Sequence, residues 1–108
     1  MTEYMVLIVG DADRWWTTMT AEERKHGYEQ YSLFSKSLVE RGHKITGGAE
    51  LHASTEAKHL PPGTTTETIG GYYLVEATDL DQAVAWCELL PDCYSLEVRP
   101  VVDIDVSA

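Results

Sequence analysis

Near the end of the chain Ser95, Glu97 and Arg99 recur at every second position. In an extended strand alternate residues point to the same side, so these three share a face opposite to Tyr94, Leu96 and Val98. If that face borders a cleft, Glu97 would act as a base tuned by burial and by Arg99, and Arg99 would hold a ligand carboxylate or hydroxyl. A structural ion pair across a contact between subunits is the plainer role and carries more weight than catalysis. Tyr72 and Glu76 also share one face of an extended segment. On the same cleft they would add an aromatic wall and a second carboxylate, and two nearby carboxylates can hold their pKa values apart for acid and base work. Packing and interface polarity again account for them more simply.

Other candidates lie in connections. Asp11 follows an apolar run and precedes the pair Trp15-Trp16. A strand-to-helix connection is a common rim for a small-ligand pocket, and Asp11 would equally cap a turn. Trp15 and Trp16 cannot both be buried on one helical face, so one is expected over a pocket mouth or, by preference, a subunit contact. His52 and His59, with Glu50 and Glu56, suggest a mixed nitrogen and oxygen metal site, His52 being the better ligand. Their spacing matches no metal signature, and no metal or cofactor is expected. Cys87 and Cys93 stand six apart, which fits neither a disulfide framework nor a zinc pattern, so both are expected as reduced thiols and Cys87 as a small apolar filler. No glycine-rich turn leads into a lysine, and no marker of a Ser-His-Asp arrangement is present.

The elements that must position these residues follow from periodicity. Residues 4–9 form a continuous apolar run ending at Gly10-Asp11, which predicts a strand buried on both faces and then a turn. Thr20-Ala21-Glu22-Glu23 has capping-box spacing, and Arg41-Gly42 supplies a glycine for the left-handed cap, so a helix is predicted between them. Tyr31, Phe34, Leu38 and Arg41 mark its packed face, and Gly27 weakens its first half. A second strand over residues 44–51 is loosened by Gly47 and Gly48. Residues 53–68, rich in Ser, Thr, Pro and Gly around Pro61-Pro62-Gly63, read as a surface loop, and residues 71–77 as a third strand. Thr78-Asp79-Leu80-Asp81 opens a second helix with an apolar stripe at Leu80, Ala83, Val84 and Cys87, ending before Pro91. Residues 94–99 alternate as a last strand, which Val102, Ile104 and Val106 would extend.

The order strand, helix, strand, strand, helix, strand is that of a ferredoxin-like βαββαβ sandwich, an α+β fold with its helices on one face of an antiparallel sheet. The other face is left open. Because the first strand is apolar on both sides, a second copy of the chain is expected to cover that face in a symmetric homodimer. A length of 108 residues suits one domain, residues 1–108, and 44% apolar with 24% charged residues suits a packed core. A formal charge of -10 repels phosphate backbones and anionic lipid, so neither nucleic acid nor a membrane is an expected partner. No apolar run is long enough to span a bilayer and no basic segment precedes the first one, so a cytoplasmic location is expected.

Several segments together resemble the YCII-related, DGPF-type family over almost the whole chain: residues 4–8 with Gly10-Asp11, Gly47-Gly48-Ala49-Glu50-Leu51, Gly70-Gly71-Tyr72-Tyr73-Leu74-Val75-Glu76, Asp79-Leu80-Asp81-Gln82-Ala83, and Leu96-Glu97-Val98-Arg99-Pro100. The resemblance implies a ferredoxin-like fold that pairs as a dimeric α+β barrel. Two departures bear on function. The Asp-Gly-Pro-Phe motif is absent, and Tyr31 stands where relatives that act as dehydrochlorinases of chlorinated hydroquinones carry a helix histidine that works with an aspartate. That dyad does not carry over.

Two functions remain open, and whether the chain is an enzyme is not decided at this level. The leading expectation is a homodimeric small-molecule binding protein, a stress or regulatory accessory, with Tyr72, Glu76, Trp15 and Tyr31 as ligand contacts. The alternative is a cofactor-independent acid-base enzyme, a lyase or isomerase acting on a small, aromatic organic molecule, with Glu97, Arg99, Asp11 and His52 as its catalytic candidates.

Overall fold

The computed structural model describes residues 2–9, 13–63, 69–90 and 95–102. In chain order these form β1 (Thr2–Val9), α1 (Arg14–Thr17), α2 (Ala21–Glu40), β2 (Lys44–Glu50), β3 (Ile69–Ala77), α3 (Leu80–Trp86) and β4 (Ser95–Pro100), with short 3-10 turns at Ser54–Glu56 and Cys87–Leu89. The strands build an antiparallel sheet in the order β2-β3-β1-β4, the ferredoxin-like order read from the sequence. The one-turn helix α1 is an addition that the sequence reading left inside the first connection. Asp11, Cys93, Tyr94, Pro91, Ile104 and Val106 lie outside the described residues, as does the part of the loop at 64–68.

Register divides the sheet into two faces. On one, Tyr4, Val6 and Ile8 of β1 stand opposite Val75, Tyr73 and Gly71 of β3, and opposite Pro100, Val98 and Leu96 of β4. Phe34 and Leu38 of α2 pack on this side, where both, with Val6, are fully buried. Each such side chain stabilises the fold by about 1.5–3 kcal/mol. On the other face Met5 and Leu7 lie beside Leu74, Tyr72, Arg99 and Glu97 and are only half-buried. One chain therefore covers β1 fully on the helix side alone, because both crossover helices lie there.

The ends of α2 are set by local chemistry. The Thr20 hydroxyl accepts from the Glu23 amide at 3.1 Å and the Glu23 carboxylate accepts from the Thr20 amide at 3.0 Å, a complete capping box. These bonds, the one from the Thr20 amide first, hold the Glu23 carboxyl below its ordinary range. At the other end Gly42 adopts φ +76, its amide bonds to the Val39 carbonyl and the His43 amide to the Leu38 carbonyl, which is the Schellman arrangement. Arg41 is the exposed C-cap, so the packed face of α2 ends at Leu38 and does not include Arg41.

The second crossover corrects the sequence reading in two respects. Asp79, one residue later than Thr78, is the N-cap of α3: its carboxylate accepts from the Gln82 amide at 2.8 Å, while the Gln82 side chain accepts from the Thr78 amide. The packed face turns accordingly. Ala83, Trp86 and Cys87 are buried with Leu90, whereas Leu80 and Val84 are exposed. Trp86 decides this rotation because it is the largest apolar surface on the helix, and its ring lies 4.2 Å from that of His43 at the end of α2.

Cys87 is buried in this cluster and its thiol donates to the Ala83 carbonyl. Burial pushes the thiol up from 9.0 to about 11. The folded chain thus keeps a proton that the unfolded chain loses first, so the contribution of Cys87 is intact below pH 9.0 and declines as pH rises towards about 11. In a Cys93→Ser background, urea unfolding followed across that window should show stability falling with pH, and Cys87→Ala should flatten the fall. An equal slope in both proteins would show that the thiol does not titrate with folding.

Candidate ligand-binding cavity

The sheet rows on the helix side change character along β1. One row runs Ile45, Val75, Tyr4, Pro100 and is filled by side chains, whereas the next rows contain Gly48 beside Tyr73 and Gly71 between Glu50 and Ile8. A Cβ on Gly48 would sit 2.8 Å from the Tyr72 carbonyl oxygen, and one on Gly71 2.8 Å from that of Ala49. These are closer than a side chain tolerates, so the backbones approach only because both positions are glycine. Here the two layers part and enclose a cavity of about 290 Å³ lined by Ile8, Trp15, Trp16, Tyr28, Tyr31, Gly48, Ala49, Glu50, Gly70, Gly71, Tyr72 and Tyr73.

Gly27 sets the opposite wall. A Cβ there would lie 2.6 Å from two ring carbons of Trp15, so its absence lets the Trp15 indole lie flat against the first half of α2. Trp15 is 5% exposed, and its ring meets Tyr28 edge-on at 4.9 Å and Tyr31 at 6.1 Å. Tyr31 in turn stands 6.3 Å from Tyr73, which also meets Phe34 at 5.0 Å. The aromatic wall is therefore continuous with the core. Edge-to-face contacts of this kind add about 0.5–1.5 kcal/mol each beyond simple burial.

One acidic side chain reaches this aromatic surround. Glu50, at the end of edge strand β2, accepts from the Tyr28 hydroxyl at 3.0 Å and so links the sheet edge to α2. Burial, then the hydrogen bond to Glu50, raises the Tyr28 phenol above its ordinary range, while a hydrogen bond from Trp15 works in the other direction. Tyr28 therefore keeps its proton at neutral pH and acts as the donor. Burial likewise raises Tyr73.

The mouth is braced by the α1 segment. The Trp16 indole N–H donates to the Leu51 carbonyl at 3.3 Å, and its ring lies 5.7 Å from His52. The Asp13 carboxylate accepts from the Ser54 amide at 2.7 Å and from the Ser54 hydroxyl, bonds that hold its carboxyl below the ordinary range, the hydroxyl first. Arg24 donates to the Met19 carbonyl at 2.6 Å and the Trp15 carbonyl at 3.4 Å, which ties α1 to the start of α2.

The sequence candidates separate into two groups. Trp15 and Tyr31 line the cavity, as does Tyr72, whose register with Leu7 nevertheless turns its side chain to the open face; Trp16 stands half-exposed at the edge and His52 lies beside it. Glu97 and Arg99 sit on the open face of the sheet, where they form a 3.8 Å ion pair with side chains 54% and 71% exposed, so the pair is worth little in one chain. Glu76, also on that face, stands between Glu3 and Lys44. It lies two strands and four residues from Glu97, roughly 16 Å at ordinary strand spacing and rise, so the two carboxylates are not a pair within a chain. Asp11 lies outside the described residues, and among those described no three His, Cys, Asp or Glu side chains come together as a metal site.

Tyr28, Tyr73 and the role of Glu50 escaped the sequence reading. Tyr28 lies three residues before Tyr31 on one helical face, and glycine pairs sit in two strands, at 47–48 and 70–71. Together these are the sequence signals of an aromatic wall above an emptied sheet.

An antiparallel sheet in this strand order, with helices on one side and a cavity between the layers, defines an α+β protein of the ferredoxin-like class. The YCII-related domain model matches residues 2–105, and the chain belongs to that family. Among curated proteins no match to the chain is found.

Gly27→Ala tests the wall. An exposed helix gains up to about 1 kcal/mol from such a change, but here the new methyl meets the Trp15 ring, and overpacking costs about 1–3 kcal/mol. A lowered melting temperature with a red-shifted tryptophan emission is expected. A stabilised protein with unchanged emission would show that Trp15 does not rest on Gly27.

Proposed function

We propose that this chain is a homodimeric small-molecule binding protein whose ligand enters the aromatic cavity between α2 and the sheet. The observation that carries this reading is the cavity of about 290 Å³, walled by tryptophan and tyrosine, with Glu50 the one carboxylate among its described lining residues. That size is at the lower end of the range for small-ligand pockets, about 300–1,000 Å³. Well-packed interiors do not leave such space unless side chains are withheld, as at Gly48 and Gly71. This reading favours the helix side for the ligand, whereas the sequence reading centred on an intersubunit or sheet-face cleft. A stress or regulatory accessory role in the cytoplasm fits such a binder.

The dimer half of the proposal rests on the open face. Met5, Leu7, Tyr72 and Leu74 form a half-buried apolar centre with Glu3, Glu76, Glu97 and Arg99 around it. An apolar core with a charged rim is the anatomy of a protein interface, and two-fold pairing would let the same patch cover itself.

A second reading is supported by the 3.0 Å contact between Tyr28 and Glu50. A carboxylate beside a protonated phenol supplies a base and an acid, the couple that a cofactor-independent lyase or isomerase uses. Binding is favoured over this because the phenol donates its proton to the carboxylate, which weakens Glu50 as a base.

A thermal-shift screen with small molecules of each charge tests the cavity. A ligand at a hundred times its Kd adds about 2.7 kcal/mol, roughly 10 °C for a domain of this size. Tyr31→Ala should remove the shift, and Glu97→Gln should leave it in place. Loss of binding in Glu97→Gln with Tyr31→Ala unaffected would move the site to the open face. For the dimer, light scattering should give twice the chain mass of 12.1 kDa, and Leu7→Glu should give the single-chain mass. A single-chain mass for the unaltered protein would refute pairing.

A further inference from the structure

The composition of the cavity wall specifies the charge of what it holds. We infer that the ligand is a small organic cation, an amine or methylated ammonium with an apolar body, and this inference rests on the cavity being a binding site. Of the described residues that line the cavity, Glu50 alone carries a formal charge, and it is negative. Trp15, Trp16, Tyr28, Tyr31 and Tyr73 contribute to the same wall, whereas the register of Tyr72 with Leu7 turns its side chain to the open face. Tryptophan and tyrosine faces carry negative electrostatic potential, which attracts a cation within about 6 Å of the ring centre and does so most strongly where water is excluded.

The neighbouring groups favour the same sign of charge. The Arg24 guanidinium donates to the Met19 and Trp15 carbonyls at the α1–α2 junction and is not among the cavity-lining residues. Its charge is felt at Tyr28, but its Nη1 donors are engaged by these two carbonyls, so it braces the wall. Glu50 receives one hydrogen bond from Tyr28, and a carboxylate has about four acceptor sites, so capacity remains for an ammonium N–H or for direct charge contact. An anionic ligand would face Glu50 without compensation. Glu50 is exposed, so a neutral ligand would leave it hydrated and bonded to Tyr28 without using its charge, whereas a cation gains that attraction. The chain's formal charge of -10 adds a long-range field that concentrates cations near the mouth.

The test compares three probes of one shape by isothermal titration at low salt: choline, its neutral isostere with carbon in place of the quaternary nitrogen, and a carboxylate of similar bulk. Choline should bind at least tenfold more tightly than the neutral isostere, with the carboxylate weakest. Glu50→Gln keeps an acceptor for Tyr28, should melt within a few degrees of the unaltered protein, and should reduce choline affinity about tenfold while leaving the isostere unchanged. Binding of the isostere or the carboxylate as tight as that of choline would overturn the cation assignment and leave the cavity's role as a binding site intact. Absence of binding by all three, with tryptophan emission unresponsive to each, would overturn both.

Discussion

The molecule depends on how one helix meets one sheet. In its second half α2 places Phe34 and Leu38 against Val6 and Val75, and these side chains are fully buried or nearly so. In its first half the helix meets the sheet through the Trp15 ring, with Gly27 against it, and the sheet withholds side chains at Gly48 and Gly71. A helix of 20 residues is about 30 Å long, enough for both arrangements in succession. The close-packed half holds the layers together, and the same rigid rod carries Tyr28 and Tyr31 over a gap that the other half could not tolerate.

This division explains why the cavity is aromatic. Tyrosine and tryptophan side chains are long and stiff, with few rotatable bonds, so they span a widened gap without collapsing into it. Each also has a polar atom to satisfy. Tyr28 uses the Glu50 carboxylate and Trp16 uses the Leu51 carbonyl, and both bonds run from the helical segments to the end of β2. Among the described residues β2 pairs with β3 alone, so these bonds also fix an edge that sheet pairing holds from one side. The wall and the brace are thus the same residues.

The opposite face of the sheet follows a different principle. There the charged residues Glu3, Glu76, Glu97 and Arg99 surround Met5, Leu7 and Leu74, and the Glu97–Arg99 contact is open to solvent. The sequence reading put its chemistry on this face because alternation makes Ser95, Glu97 and Arg99 conspicuous. Periodicity reports which residues share a side, but it does not say where two layers separate. That is why the group with the clearest spacing proved to be the more exposed one.

Much of the local chemistry was legible. The Thr20–Glu23 capping box, the Gly42 cap and the four strands follow from near-neighbour rules, because each depends on residues within a few positions of one another, and the order of elements then suggested the sheet order. Contacts that cross the fold were decided elsewhere. Which of Trp15 and Trp16 is buried depends on Gly27, and which face of α3 packs depends on the room for Trp86 beside His43. The meeting of Tyr28 with Glu50 joins positions 22 apart, across a cavity that two glycines on neighbouring strands help to line. Sequence alone determined the four strands, the two crossover helices and the caps of α2, since those energies are local. Only tertiary structure could decide the cavity, since an empty volume is made by what several distant residues jointly leave unfilled.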